Sequence, residues 1–149
     1  MNDLRVRDFM TQNLVTVQPG DTVAKAYELM LDNRIRHLIV VDGDGDLAGV
    51  LTHRDLLRSA LIERTDLPLS LQRGVLRRIR VEEVMTSEVE TAEPGQWLRE
   101  AALVMFENKY GCLPVVEGSR VMGVLTESDF VRFFSQTGRQ PVAMAELAA

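Results

Sequence analysis

The spacing of apolar residues predicts a helix in each half of the chain. In the first half, apolar residues recur at helical spacing directly after Pro19-Gly20-Asp21-Thr22, which supplies a turn and candidate caps. In the second half, the same pattern follows Pro94-Gly95. The positions are Val23, Ala26, Tyr27 and Met30, and then Leu98, Ala101, Ala102 and Met105. Each helix therefore has one apolar face, in which the two methionines are expected to fill core space.

Each helix is followed by two short apolar runs around a Gly-containing turn, a pattern typical of a β-hairpin. Apolar residues at helical spacing then predict a second helix, and Leu14-Val15-Thr16-Val17 predicts an extra strand before the first one. The hairpin runs are 37–41 with 47–51, and 112–116 with 121–125; the second helices begin near Leu56 and Phe130. The order in each half is β-α-β-β-α, and the predicted fold class is α+β.

The two halves are an internal repeat. Residues 6–58 align with 81–132, and 19 of 52 paired positions are identical. The predicted organisation is a first repeat at 1–62, a linker insert at 63–80, a second repeat at 81–135 and a C-terminal tail at 136–149. The insert carries Arg73, Arg77, Arg78 and Arg80. These arginines are interpreted first as a solvated linker and second as a contact for phosphate or a partner.

Charge and cysteine content limit the classes of protein to consider. The net charge is −5, which argues against nucleic-acid binding driven by overall charge. The single cysteine, Cys112, allows no internal disulfide, and no apolar segment reaches the roughly 18–20 residues of a membrane helix. We therefore expect a cytoplasmic protein that is neither exported nor inserted in a membrane.

The strongest local motif is G-V-L-T-x-x-D, which occurs at 49–55 and again at 123–129. A threonine at a helix start with an acidic residue three positions later resembles a capping box, which needs no ligand. The same geometry also presents amides and the positive end of the helix dipole to a phosphate, beside a carboxylate that can accept hydrogen bonds from ribose. Its occurrence at matched positions in both repeats favours ligand binding.

In duplicate and in this order, these features resemble the tandem CBS-domain pair, also called a Bateman module. The resemblance covers residues 6–134 and rests on Met-Thr at 10–11 and 85–86, on the two hairpins and on the two G-V-L-T-x-x-D segments. It implies two CBS repeats packed about a pseudo-two-fold axis, two clefts for adenosine nucleotides, and a homodimer. By the same resemblance, the ligand is AMP, ADP or ATP, with S-adenosylmethionine ranked behind them.

The resemblance also implies the site residues. Asp55 and Asp129 are expected to bind ribose, and Thr52 and Thr126 to contact ribose or phosphate. The adenine base is expected to contact two sets of residues, one per cleft. The first is Val15, Thr16, Arg36, His37, Leu38 and Ile39; the second is Glu90, Thr91, Gly111, Cys112, Leu113 and Pro114. His53, Arg54 and Ser128 complete the predicted site as the variable residues of the two motifs.

The two motifs differ in charge, which predicts that the clefts prefer different ligands. His53 and Arg54 begin the first helix, whereas Glu127 stands at the place of His53 in the second repeat. The cleft around Thr52 and Asp55 is therefore expected to prefer more highly phosphorylated ligands. The assignment is reversed if the pseudo-two-fold axis directs the flanking residues to the other cleft.

No metal site or catalytic motif is predicted. Asp42-Gly43-Asp44-Gly45-Asp46 resembles a calcium loop, but Leu47 and His53 stand where such a loop needs Gly and Glu. We therefore predict a hairpin turn there. His37 and Cys112 are equivalent, yet no further Cys/His spacing completes a zinc site.

The predicted function is a regulatory module, not an enzyme, that senses an adenosine nucleotide and signals to a regulated partner protein. Two alternatives stay open. One is a nucleic-acid-binding adaptor that uses the arginines at 73–80. The other is a dimerisation scaffold without ligand.

Overall fold

The computed structural model describes residues 3–63 and 74–136, which form two similar α+β repeats. Residues 64–73 of the predicted linker, with Arg73, and 137–149 of the predicted tail lie outside this description. The first repeat contains β1 (Thr16–Val17), α1 (Val23–Asn33), β2 (His37–Val41), β3 (Leu47–Thr52) and α2 (His53–Glu63). The second contains α3 (Val81–Val84), α4 (Leu98–Asn108), β4 (Cys112–Glu117), β5 (Arg120–Thr126) and α5 (Glu127–Gln136).

The two small sheets differ at their first strand. In the first repeat, β1 is parallel to β2 with Thr16 opposite Ile39, and β2 and β3 are antiparallel. The strand predicted at 14–17 is thus only two residues long. In the second repeat, β4 and β5 are antiparallel, and the place of β1 is taken by one bridge between Ala92 and Val115.

The Asp/Gly segment between β2 and β3 is a hairpin turn, as predicted. One carboxylate oxygen of Asp42 accepts hydrogen bonds from the amides of Asp44 at 2.9 Å and Asp46 at 3.0 Å. Gly45 adopts a φ of 84°, which favours glycine because it has no Cβ. The carboxylate of Asp42 therefore helps to close the turn.

Each repeat has its own hydrophobic core, but the segments that enter the cores are exchanged. Val6 and Phe9, at the start of the first repeat, pack in the core of the second repeat with Leu113 and Leu125. Ile79 and Val81 pack in the core of the first repeat. The predicted linker therefore contributes a core residue. Met30 and Met105 fill the two cores, as predicted, with 2% and 5% of their surfaces exposed.

Two crossing segments, Met10-Thr11 and Met85-Thr86, join the repeats. The backbone of Thr11 pairs with Val124 in β5, with N–O distances of 2.8 and 3.0 Å. The backbone of Thr86 pairs with Val50 in β3, with both distances at 2.9 Å. Each Met-Thr pair therefore lies against the G-V-L-T motif of the other repeat.

Candidate functional site

A cavity of about 730 Å³ lies between the repeats. The first repeat supplies Arg36, His37, Val50, Thr52, His53, Arg54 and Leu57 to its lining. The second repeat supplies Thr86, Glu88, Val89, Glu90, Lys109, Tyr110, Gly111, Cys112, Pro114 and Glu127. One crossing segment and the starts of both α2 and α5 therefore meet at a single space.

The helix starts are fixed to the loops that precede the hairpins. The amide of His53 donates to the carbonyl of Arg36 at 2.8 Å, and the amide of Glu127 donates to the carbonyl of Gly111 at 3.2 Å. Gly111 also lies against His37, since a Cβ at Gly111 would be 2.7 Å from Nε2 of that histidine. The side chain of His37 thus packs directly on the other repeat.

The first T-x-x-D motif forms the predicted capping box. The amide of Thr52 donates to Oδ2 of Asp55 at 2.8 Å, and the amide of Asp55 donates to Oγ1 of Thr52 at 3.1 Å. Asp55 is partly exposed, whereas Asp129 in the second motif is only 2% exposed. The capping interpretation is therefore confirmed for the first motif, and it leaves ligand binding open because Asp55 still faces solvent in part.

Both repeats of the chain match the same family of domains. The family model for the CBS domain matches the chain twice, at residues 6–62 and 81–136. The chain belongs to the CBS-domain family. It is a CBS pair, because the two matched segments form the two repeats that pack against each other around the cavity.

Solved CBS pairs with bound ligands have the same fold. CBSX2 in complex with AMP is 30% identical, and the similarity covers 91% of this chain and 99% of that one with a TM-score of 0.76. The CBS domain pair of protein MJ0100, in complex with 5′-methylthioadenosine and S-adenosyl-L-methionine, is 26% identical. That similarity covers 89% and 96% of the two chains with a TM-score of 0.73.

The curated relatives are longer proteins. A homoserine O-acetyltransferase of Methanocorpusculum labreanum is 34% identical over 127 residues, which are 85% of this CBS pair and 23% of that enzyme. The chain spans 23–47% of the length of the first three curated relatives that it matches. A CBS pair thus occurs beside other segments in its relatives. In the described residues of this chain, no helix is long and apolar enough to cross a membrane.

The cavity of this CBS pair has a mixed electrostatic lining. Arg36, Arg54 and Lys109 supply positive charge, and Glu88, Glu90 and Glu127 supply negative charge. Burial lowers the pKa of His37 below its ordinary value of 6.5, while nearby Glu127 opposes that shift and Arg36 reinforces it. His37 therefore enters the cavity mainly as a neutral imidazole at pH 7.

Cys112, which stands at the position of His37 in the second repeat, has an unreactive thiol. Burial raises the pKa of its thiol to about 12, so at neutral pH it is protonated and a poor nucleophile or metal ligand. Within residues 3–63 and 74–136, no three His, Cys, Asp or Glu side chains are grouped as a metal site would need.

The structure brings only part of the predicted site together. Of the predicted residues, those that line the cavity are Arg36, His37, Thr52, His53, Arg54, Glu90, Gly111, Cys112 and Pro114. Those outside its lining are Val15, Thr16, Leu38, Ile39, Asp55, Thr91, Leu113, Thr126, Ser128 and Asp129. Leu38 and Leu113 lie in the two cores, which leaves only their backbones for a ligand. Asp55 is partly exposed and is bonded to the lining residue Thr52.

The expected separation of charges between two clefts is wrong. Glu127, expected at the cleft of the second motif, lines the same cavity as His53 and Arg54. The repeats pack so that the start of α2 faces the second repeat, and Glu127 at the start of α5 lines the cavity beside it. The first motif therefore shares its cavity with Glu90 and Pro114 instead of Thr16 and Ile39.

Seven lining residues were missed as site residues. They are Val50, Leu57, Thr86, Glu88, Val89, Lys109 and Tyr110. Two sequence signals could have identified some of them. The Met-Thr pair that occurs in both repeats contains Thr86, and Glu88 and Val89 directly precede the predicted Glu90. Val50 carried no such signal, since its place in the lining comes from the packing of one repeat on the other.

Proposed function

We propose that the protein is a regulatory module that binds an adenosine ligand in the cavity between its CBS repeats. The cavity carries this proposal because it joins the start of α2 to an apolar wall. His53 and Arg54 suit a phosphate, and Val50, Val89 and Pro114 suit a base. CBSX2 with AMP and MJ0100 with S-adenosyl-L-methionine support an adenosine ligand.

Occupancy is proposed to act on a partner by population shift. A ligand that contacts both repeats favours the arrangement in which they hold it best, and a partner sensitive to that arrangement responds. We assign no reaction to this chain. The mixed charge of the lining favours a ligand with one phosphate, such as AMP, over ATP, because Glu88, Glu90 and Glu127 repel further negative charge.

A role in nucleic-acid binding has less support. Arg80, one of the arginines behind that alternative, donates from its guanidinium to the carbonyl of Gly20 at 2.8 Å, and its backbone pairs with Thr22. This side chain is thus used in joining the start of the second repeat to the first. We accordingly propose a cytoplasmic regulator of another protein rather than a nucleic-acid adaptor.

The helices also present apolar surface suited to a homodimer. Phe130 and Phe133 are not part of this surface, because they pack near Phe9, with ring centroids 6.0 and 4.6 Å from it. Val131 is 68% exposed and Phe106 is 82% exposed. We propose that these exposed helix faces meet those of a second copy.

A thermal-shift panel tests the proposed ligand class. AMP, ADP, ATP and S-adenosylmethionine are compared with GMP as the matched control for the base. A ligand at 100 times its Kd should add about 2.7 kcal/mol to the free energy of unfolding. Stabilisation by no adenosine ligand, or equal stabilisation by GMP, contradicts the proposal.

A variant pair locates the binding. Arg54→Ala removes a cation from the cavity lining, whereas Arg58→Ala removes one from the same helix, one turn further along and outside the lining. Arg54→Ala should weaken AMP binding and Arg58→Ala should not. Equal affinities for the two variants would place the phosphate elsewhere.

A further inference from the structure

The carboxylate of Asp129 accepts four hydrogen bonds inside the protein. Oδ2 accepts from the amide of Thr126 at 2.7 Å and from its hydroxyl at 3.1 Å. Oδ1 accepts from the hydroxyl of Thr11 at 2.8 Å and from the guanidinium of Arg132 at 2.6 Å. A carboxylate offers about four lone-pair positions, so this side chain has no acceptor left for a ligand.

The equivalent carboxylate, Asp55, keeps most of its accepting capacity. In the described part of the chain, it accepts only from the amide of Thr52. The hydroxyl of Thr52 accepts a hydrogen bond from the amide of Asp55, and it does not donate one to the Asp55 carboxylate as Thr126 does to Asp129. Thr86, which corresponds to Thr11 in the repeat, lines the cavity. The two motifs share the G-V-L-T-x-x-D sequence, but the carboxylate of Asp129 is fully hydrogen-bonded within the protein and that of Asp55 is not.

Burial and charge agree with this difference. Asp129 is 2% exposed and forms an ion pair with Arg132, which stabilises it as a buried anion. The helix start beside it carries Glu127 and Ser128, which offer no positive charge to a phosphate. The helix start beside Asp55 carries His53 and Arg54, and both line the cavity.

From these contacts we infer that the protein binds one adenosine ligand per chain, at the first motif, and that Asp129 is a structural link between the repeats. Its bond to Thr11 holds the first crossing segment against β5. This inference rests on the proposed function and adds to it the number of ligands and the motif that holds the ligand. The second motif keeps its threonine and aspartate for packing, which explains their presence without a ligand.

Calorimetric titration of the full chain tests the inference, with AMP, ATP and S-adenosylmethionine as separate titrants. The wild type should bind one ligand per chain. Asp55→Asn should weaken binding about 10- to 100-fold, because hydrogen bonds from ribose to a charged acceptor are lost. Asp129→Asn should keep the affinity and the ratio of one but melt at a lower temperature.

A milder variant covers the case in which Asp129→Asn does not fold. Thr11→Val removes one of the four hydrogen bonds and leaves the carboxylate in place; it should lower the melting temperature at unchanged affinity. Two ligands per wild-type chain, or a loss of affinity in Thr11→Val that matches Asp55→Asn, would overturn the inference. Absence of binding by any titrant would instead overturn the proposed function, which is a separate result.

Discussion

Gly49 lies where the second crossing segment passes over β3, and an added methyl group there should push the repeats apart. A Cβ at Gly49 would lie 2.5 Å from the carbonyl oxygen of Thr86 and 3.1 Å from the sulfur of Met85. Ordinary contact begins at 3.4 Å, so the backbone of Thr86 must retreat by about 0.9 Å. The two 2.9 Å hydrogen bonds between Thr86 and Val50 would then exceed the usual upper limit of about 3.2 Å.

The cost follows from these two effects. Overpacking at a rigid contact costs about 1–3 kcal/mol, and losing two hydrogen bonds costs a similar amount. Gly49→Ala should therefore lower the free energy of unfolding by roughly 2–6 kcal/mol. The Cβ at Gly123 would lie 2.8 Å from the carbonyl oxygen of Thr11, so Gly123→Ala should act in the same direction but less strongly.

Urea denaturation measures the effect, and Gly43→Ala is the matched control. A Cβ at Gly43 would have no neighbour within 4 Å, and its φ lies outside the left-handed region. That variant should stay within about 0.5 kcal/mol of the wild type. If Gly49→Ala unfolds at the same urea concentration as Gly43→Ala, the crossing segment does not pack on β3 as described.

Three further predictions concern charge, association and pH. Glu127→Gln should tighten AMP binding, because it removes a negative charge from the cavity lining; a calorimetric Kd equal to that of the wild type would show that the phosphate lies away from α5. Light scattering should give twice 16.7 kDa for the wild type and 16.7 kDa for Val131→Glu, whereas Met122→Glu on β5 should stay dimeric; a monomeric wild type would refute the dimer. Because burial lowers the pKa of His37, the unfolded chain binds its proton at a higher pH than the folded chain does. The free energy of unfolding should therefore fall as the pH drops below about 6.5, and it should fall less steeply in His37→Gln than in the wild type. An equal dependence on pH in the two proteins would show that His37 is not the cause.

Local sequence patterns predicted most of the helices and hairpins, because these elements depend on residues that are close in sequence. The helical spacing from Val23 to Met30 and the turn at 42–46 were enough for α1 and the first hairpin. The cavity depends instead on how one repeat packs on the other. The bond between Thr11 and Asp129 joins residues 118 positions apart, and no spacing within either repeat indicates it. The same dependence explains why Glu127 was assigned to the wrong cleft.

The exchange of Val6 and Phe9 for Ile79 and Val81 makes the two cores dependent on each other. A chain cut between the repeats would leave each fragment without part of its own interior, while the missing part is covalently attached to the other fragment. The two fragments should then recover a native interior only by associating, as complementing fragments do. For the intact chain, this mutual dependence predicts a single cooperative unfolding transition in place of two independent ones.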